Sequence, residues 1–213
     1  ADVLHALLIE FVGAAIHLIL YSRQVYPKET FERRRLFDVA VYRSRHPELC
    51  EYISLVMDGL KELLQRSEAD CVVVPILGQS APVQGILPLS AAQPVVLERF
   101  VFELHTVSDS VSEADVAALH SQLRAFLLKL HICDSMLEQL PAEAHERSFS
   151  VELHSKPARE GPAFSEELRS QWIECDVQSE ASVIPGASRI VPLKSMTGPH
   201  LAMQLLVHEA CTK

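Results

Sequence analysis

The sequence predicts an α+β fold in which three long helices pack on one face of a largely antiparallel sheet. Three segments carry apolar residues at helical spacing, and they are separated by segments rich in β-branched and aromatic residues. These segments do not alternate regularly, as strands and helices of a parallel α/β sheet would. With 213 residues, of which 48% are hydrophobic and 22% charged, the chain can bury a substantial core. We expect one domain over residues 1–213.

The first predicted helix occupies the amino-terminal end of the chain. Its apolar pattern continues to about Gln24, and Pro27 makes a longer helix unfavourable. The segment is apolar enough to resemble a signal or membrane segment, but His5, Glu10 and His17 interrupt it and no basic region precedes it. We therefore interpret it as a helix buried in the domain.

Two further helices are predicted in the middle of the chain. The second covers HPELCEYISLVMDGLKELLQR (46–66), where the apolar residues recur every three or four positions. The third is predicted to start at Ser110 or Ser112, because each is followed three positions later by an acidic residue, the pattern of a capping box. Its apolar stripe extends to Leu137.

Strands are predicted wherever apolar and polar residues alternate or β-branched residues cluster. The segment LFDVAVYR (36–43) is predicted to be one half-buried strand, and SFSVELHS (148–155) another. CVVVPIL (71–77) and PVVLERFVFELHTV (94–107) are predicted to be adjacent strands. The Pro- and Gly-containing stretch between them, residues 78–94, is predicted to be an extended loop or a hairpin insertion.

The sequence contains no pattern that indicates a catalytic site, a cofactor site or a metal site. Nucleotide-binding glycine motifs, the H-E-x-x-H zinc motif and the G-x-S-x-G nucleophile motif are all missing from it. The five cysteines form no C-x-x-C pair, and Cys133 lies on the apolar stripe of the third helix, which favours packing over catalysis. We expect a protein that is not an enzyme; a small hydrolase with histidine and acidic residues in a cleft is the alternative.

The charge of the chain argues against a large surface for nucleic acid. With 28 acidic and 19 basic side chains the net charge is -9, which repels phosphate groups. We expect no strong direct binding of nucleic acid. The basic run ERRR (32–35) is predicted to be a solvated charged stretch before a strand, with a patch for an anion or an acidic partner as the alternative.

Five stretches together resemble the HORMA-domain accessory subunits of DNA polymerase zeta. They are HLILYSRQVYP (17–27), HPELCEYI (46–53), RFVFEL (99–104), LRAFLLKLHICD (123–134) and RIVPLKSMTGPHLAMQLLV (189–207). The resemblance follows their order and spacing along almost the whole chain. It implies a HORMA domain with a core of about residues 1–155 and a mobile "safety belt" of about residues 156–213, which traps a partner peptide against the sheet.

The resemblance also implies a function. In that family the domain is a non-catalytic adaptor in DNA-damage tolerance that traps a Pro-containing peptide of the polymerase zeta catalytic subunit. It also binds the Rev-one translesion polymerase, forms HORMA homodimers or heterodimers, and is a substrate for an AAA+ remodelling ATPase. These properties imply a location in the nucleus and also in the cytoplasm. The alternative is a HORMA adaptor of the spindle checkpoint or the chromosome axis that captures a different closure motif.

Residue roles follow from the same resemblance, position by position. The matching positions are Tyr52 and Trp172 for the peptide, Arg124 for dimerisation, and Ile190, Pro192, Gln204 and Leu206 for the Rev-one polymerase. The sequence differs from the family pattern at Glu174, where an apolar residue is usual, and at Leu206, where an aromatic residue is usual. From the sequence alone, Trp172 suits a core position as well as a contact with a ligand.

Overall fold

The computed structural model describes residues 2–79, 94–106, 111–140, 147–156, 164–173 and 188–211. The helices are α1 (Asp2–Ser22), α2 (Pro47–Gln65), α3 (Glu113–Ile132) and the short α4 (Glu166–Arg169). The strands are β1 (Phe31–Leu36), β2 (Val39–Ser44), β3 (Ala69–Gln79), β4 (Pro94–Thr106), β5 (Ser148–Phe149), β6 (Glu152–Ser155), β7 (Ser188–Thr197) and β8 (Leu201–Ala210). The predicted insertion between β3 and β4 lies, from residue 80 to 93, outside the described residues.

The strands of the described residues form two antiparallel sheets. β1 and β2 form a hairpin, and the larger sheet has the order β5-β3-β4-β8-β7, with β6 also pairing with β3. Every strand pair in both sheets is antiparallel. The carboxy-terminal strands β7 and β8 thus lie at one edge of the larger sheet, and β5 and β6 lie at the other. The predicted α+β fold is confirmed.

The core lies between the helices and one face of the larger sheet. Phe11 of α1 is fully buried and makes edge-on ring contacts with Phe102 of β4 and Phe126 of α3, at centroid distances of 6.1 and 6.0 Å. Burying a side chain of this size contributes about 1.5–3 kcal/mol, so this one ring links three elements with a substantial stabilising effect. Strand β8 adds Leu205 and Val207 to the same core.

Helix α1 is the buried helix that the sequence predicts. It is long and apolar enough to cross a membrane, yet 67% of its apolar stretch is buried inside the domain. The residues buried along it include Leu4, Leu8, Phe11, Val12, Ile16 and Ile19, all at 1% exposure or less. The helix ends at Ser22, two residues before the predicted end, and Gln24 then adopts a positive φ of 52° that turns the chain towards β1.

Two of the predicted strands are wrong in detail. The segment 36–43 is not one strand, because Phe37 and Asp38 adopt φ values of 45° and 59° and form the tight turn between β1 and β2. Such two-residue turns match the twist of antiparallel strands, and Asp tolerates this left-handed conformation. The basic run 32–35 therefore lies within β1 rather than before a strand. The segment 148–155 is split into β5 and β6 at residues 150 and 151.

Helix α3 begins at the predicted capping box. The Ser112 side chain accepts a hydrogen bond from the Asp115 amide, and the Asp115 carboxylate accepts one from the Ser112 amide. The helix ends at Ile132, earlier than predicted, because a 3₁₀ turn continues the apolar stripe. Cys133 in this turn is fully buried, and burial raises the pKa of its thiol to about 12. The predicted packing role of Cys133 is confirmed.

Candidate functional site

The edge of the sheet formed by β5 and β6 is short and interrupted. Both strands pair with β3 on their inner side, and within the described part of the chain no strand pairs with their outer side. Between them, the backbone amide of Val151 donates a hydrogen bond to the Tyr52 hydroxyl at 3.1 Å. An edge of this kind offers backbone donors and acceptors to an extended peptide, which can add to the sheet as a further strand.

Tyr52 projects from α2 towards this edge and is 38% exposed. Its ring lies edge-on to that of Phe149 in β5 at 5.6 Å, and Tyr26 lies edge-on to the same phenylalanine at 6.3 Å. A cleft of about 310 Å³ opens here, lined by Tyr26, His46, Glu48, Leu49, Tyr52 and Phe149. Burial raises the pKa of the Tyr52 phenol, although the amide of Val151 acts against this shift. The hydroxyl therefore stays neutral at physiological pH.

Trp172 packs against α2 at a position without a side chain. Its indole stacks on the ring of Phe164 at a centroid distance of 5.6 Å and lies over Gly59. A Cβ atom on Gly59 would be 3.0 Å from Cζ2 of Trp172 and 3.1 Å from Cδ1 of Leu153 in β6, closer than ordinary contacts. An added Cβ would therefore require the indole and the Leu153 side chain to shift by a few tenths of an ångström. The sequence reasoning missed Gly59, although an isolated glycine inside a helical pattern is a recognised sign of close packing.

Tyr52 lines the cleft at Phe149, and Trp172 lies over Gly59 further along the same helix. We call the surface between these two residues the α2 groove. It lies between the face of α2 from Tyr52 to Gly59 and the edge formed by β5 and β6. Tyr52 and Gly59 are seven residues apart, which places them on the same face of the helix at a separation of about 10 Å. The structure thus brings together the two residues predicted to bind a peptide. Their role in binding stays a prediction.

A polar contact joins the segment 164–173, which carries Trp172, to α2. The Ser165 amide donates a hydrogen bond to the Glu62 carboxylate at 2.9 Å. This bond, together with one to the Ser165 side chain, holds the pKa of Glu62 below its ordinary value. Other parts of the predicted belt, residues 157–163 and 174–187 with Glu174 among them, lie outside the described residues. The belt boundaries therefore stay a prediction.

The four residues predicted to bind the Rev-one polymerase lie on one face of the hairpin formed by β7 and β8. In the strand register Pro192 is opposite Leu206, Ser195 is opposite Gln204, and Ile190 is opposite His208. Residues opposite each other, and alternate residues along a strand, share a face. Ile190 is 60% exposed, whereas Leu206 is only 8% exposed and offers little surface to a partner. The assignment of these residues stays a prediction.

Arg124, predicted to mediate dimerisation, is exposed on α3. Leu128 and Ile132 follow it at intervals of four residues and are 47% and 50% exposed, so the three side chains form a stripe on the outer face of the helix. Exposed apolar residues next to an arginine are common in protein interfaces. The sequence reasoning did not identify Leu128 and Ile132, although their spacing from Arg124 is visible in the sequence.

In the described part of the chain, no group of three or more His, Cys, Asp or Glu side chains is placed to hold a metal ion. The thiol of Cys71 has a pKa raised to about 12, mainly by burial, so it is a poor nucleophile. Burial likewise lowers the pKa of His17 to about 4, and its ring is enclosed between α1 and β2.

Comparison with known proteins identifies the relatives of this chain. It is 36% identical to the mitotic spindle assembly checkpoint protein MAD2B of Gallus gallus, over all of this chain and 92% of that protein. The human protein of the same name is 35% identical, over 97% of this chain and 90% of that protein. This chain belongs to the MAD2B family. A DNA polymerase zeta processivity subunit of Arabidopsis thaliana is 29% identical, over 93% of this chain and 82% of that protein. No family model matches the sequence.

Solved structures of other proteins superimpose on this chain. A chain of the mitotic checkpoint complex superimposes with a TM-score of 0.74 at 20% identity, over 96% of this chain and 97% of that chain. HTP-2 bound to the HTP-3 motif-6 superimposes with a TM-score of 0.64 at 12% identity, over 94% of this chain and 87% of that chain. The predicted HORMA fold is confirmed.

Proposed function

We propose that this chain is a non-catalytic accessory subunit of DNA polymerase zeta. It captures a peptide of the catalytic subunit in the α2 groove, where the peptide adds to the edge formed by β5 and β6. The names of its relatives support this proposal, because three of them are called polymerase zeta subunits. The polymerase chemistry belongs to the catalytic subunit, and this chain supplies binding alone.

One observation carries the proposal. The open edge lies directly beside the aromatic groups of the α2 groove, so backbone hydrogen bonds and side-chain pockets are available to the same peptide. Backbone pairing provides affinity without regard to sequence, and the pockets add specificity. Flat aromatic side chains such as Tyr52 and Trp172 are suited to proline rings, which are rigid and apolar. A Pro-containing segment therefore fits the groove better than a charged one.

Further partners belong to the same proposal. The exposed face of the β7–β8 hairpin, with Ile190 and Pro192, would bind the Rev-one polymerase. The stripe that starts at Arg124 would bind a second HORMA domain, either a copy of this chain or a related protein. An AAA+ ATPase would reopen the belt, and the complex would act in the nucleus during DNA-damage bypass.

The proposal is tested by titration calorimetry of the full chain with a synthetic Pro-containing fragment of the catalytic subunit. We expect Trp172→Ala to weaken binding by roughly 30-fold, since buried tryptophans in interfaces contribute about 2 kcal/mol or more. Val3→Ala is the control, because Val3 is an exposed apolar residue on α1 outside the groove. Circular dichroism verifies that both variants keep the fold.

Two results would count against the proposal. Equal affinity of Trp172→Ala and the unmodified chain would remove Trp172 from the binding site. The alternative function would replace the proposed one under two joint conditions. The unmodified chain would have to fail to bind the fragment, and it would have to bind a closure motif from a checkpoint or chromosome-axis protein tightly. That alternative has support of its own, since several relatives are named as checkpoint proteins.

A further inference from the structure

Two carboxylates are buried side by side in the larger sheet. Glu98 of β4 and Glu209 of β8 are opposite each other in the strand register, and their exposed fractions are 0% and 1%. Like charges at opposite positions repel, and burial strengthens the repulsion because water no longer screens it. Cations that compensate both groups therefore stabilise the pairing of β8 with β4 at this point.

Arg23, which follows α1, compensates the Glu98 carboxylate. It is 3% exposed. Its guanidinium donates to both oxygens of Glu98, at 2.8 and 2.5 Å, in the bidentate geometry that makes such pairs strong. It also donates to the Asp134 carboxylate at 2.5 Å and to the Glu138 carbonyl at 2.8 Å. Arg23 thus ties β4 to the chain that follows α3.

Arg189 compensates the second carboxylate from within the carboxy-terminal hairpin. It lies opposite Glu209 in the β7–β8 register and donates to that carboxylate at 3.2 and 2.6 Å. The backbone amide of Glu138 donates to the other oxygen of Glu209 at 2.5 Å. Arg189 also donates to the Met136 carbonyl at 3.4 Å. Residues 134–138 therefore contact both ion pairs, Arg23–Glu98 and Arg189–Glu209.

We propose that this network is a latch that fixes the β7–β8 hairpin on the sheet and thereby slows the release of a captured peptide. The hairpin latch consists of Arg23, Glu98, Asp134, Glu138, Arg189 and Glu209. Its members act by positioning the hairpin and do not contact the peptide. The inference rests on the function proposed above, because it concerns the lifetime of the peptide in the α2 groove.

The chain path explains why the latch affects release. The chain between β6 and β7 starts at the edge beside the groove and ends at the opposite edge of the sheet, and the segment 164–173 with Trp172 belongs to it. β6 and the hairpin attach the two ends of this stretch of chain to opposite edges of the sheet, so release of the hairpin would free one end and let a peptide under the segment leave. A fixed hairpin therefore lowers the dissociation rate, whereas the association rate depends on the groove itself.

Hydrogen exchange followed by mass spectrometry tests the latch without any peptide. Arg189→Gln is the main variant, because the Arg189 side chain is half-exposed and its replacement is compatible with folding. We expect the amides of β8 to exchange roughly 10- to 100-fold faster, since hydrogen bonds from a charged donor to Glu209 are lost. Amides of α2 and β3 are expected to keep their rates. Equal acceleration in all elements, or none in β8, would overturn the latch.

Three further variants make the result specific. Arg189→Lys keeps the cation and is expected to restore slow exchange at least in part. Glu209→Gln keeps a hydrogen-bond acceptor for the Glu138 amide and removes both the ion pair with Arg189 and the repulsion by Glu98, so its β8 amides are expected to exchange more slowly than those of Arg189→Gln. Arg35→Gln is the control, because the Arg35–Asp38 pair has the same chemistry in an exposed position, at 75% and 68% side-chain exposure. Arg35→Gln is expected to leave the exchange rates of the β8 amides unchanged.

Surface plasmon resonance with the catalytic-subunit fragment then tests peptide retention. Arg189→Gln is expected to raise the dissociation rate by roughly 10-fold or more and to leave the association rate unchanged. An unchanged dissociation rate would overturn the link between latch and retention. If the unmodified chain does not bind the fragment, the proposed function fails, and the exchange experiment still decides on the latch.

Discussion

The two edges of the larger sheet are built in opposite ways. At one edge β8 pairs with β4 over nine residue pairs, from Glu98 with Glu209 to Thr106 with Leu201, and β7 covers β8 in turn. At the other edge β6 pairs with β3 over four residue pairs and β5 over two, with a break between them. The first edge is long and contains a buried ion network, whereas the second is short and is bordered by half-exposed aromatic side chains.

The difference is compatible with the peptide capture that we propose. The carboxy-terminal third of the chain leaves the sheet at the short edge and returns to it at the long one. If both edges were fixed, no peptide could enter; if both were loose, none would be retained. In the proposed function, the short edge selects the peptide, and the hairpin fixed at the long edge retains it.

The largest expected effect lies at the fixed edge. Replacing Arg23 by Met removes the cation that holds Glu98 and leaves a buried carboxylate, which typically destabilises a protein by about 3–5 kcal/mol. We expect the midpoint of urea unfolding to fall accordingly. Methionine keeps the apolar contacts of the arginine stem, so the lower unfolding midpoint reports on the lost charge.

Arg35→Met is the matched control, since its partner Asp38 is exposed to water and a surface pair contributes less than about 1 kcal/mol. Similar unfolding midpoints for Arg23→Met and Arg35→Met would contradict the importance of the ion network. They would also remove the contrast between the two edges.

A smaller effect is expected in the α2 groove from Gly59→Ala. Alanine stabilises a helix interior by about 1 kcal/mol relative to glycine. Its methyl group would also press on Trp172 and Leu153, both within about 3 Å. We expect the indole to move outwards, with a red shift of its fluorescence, and peptide affinity to fall roughly 5-fold because overpacking has a penalty of about 1 kcal/mol or more.

Gly13→Ala provides the control for this substitution. Gly13 is also a helical glycine, but the nearest atoms to an added Cβ belong to Met57 at 3.5 Å, an ordinary contact distance. This variant is expected to gain helix stability and leave the Trp172 spectrum and the peptide affinity unchanged. If both variants behave alike, the space above Gly59 does not position Trp172.

The sequence predicts the helices, the central strands and the capping box of α3, because each is a local pattern. The α2 groove depends on residues distant in sequence, so only the family resemblance pairs Tyr52 with Trp172. Glu98 shares the alternation of Phe100 and Phe102, and Glu209 shares that of Leu205 and Val207. A charged residue at an apolar position of a strand's alternation therefore indicates a buried ion pair. The sequence does not identify Arg23 and Arg189 as the partners.

The smallest expected effect concerns the attachment of the segment 164–173 and its dependence on pH. The Glu62 carboxylate accepts the Ser165 amide, and its pKa is lowered from the ordinary value of 4.5. A carboxyl whose pKa is lowered in the folded state stabilises that state above its ordinary pKa, and the contribution is lost as the pH falls through the lowered value. We therefore expect the segment 164–173 to loosen below about pH 4.5.

Fluorescence of Trp172 measures this loosening directly, because it is the single tryptophan of the chain. In Glu62→Gln an amide oxygen still accepts the hydrogen bond of Ser165, but nothing titrates at this position. The emission of the variant is expected to change less than that of the unmodified chain between pH 5 and pH 3. Identical pH profiles would show that Glu62 does not attach the segment.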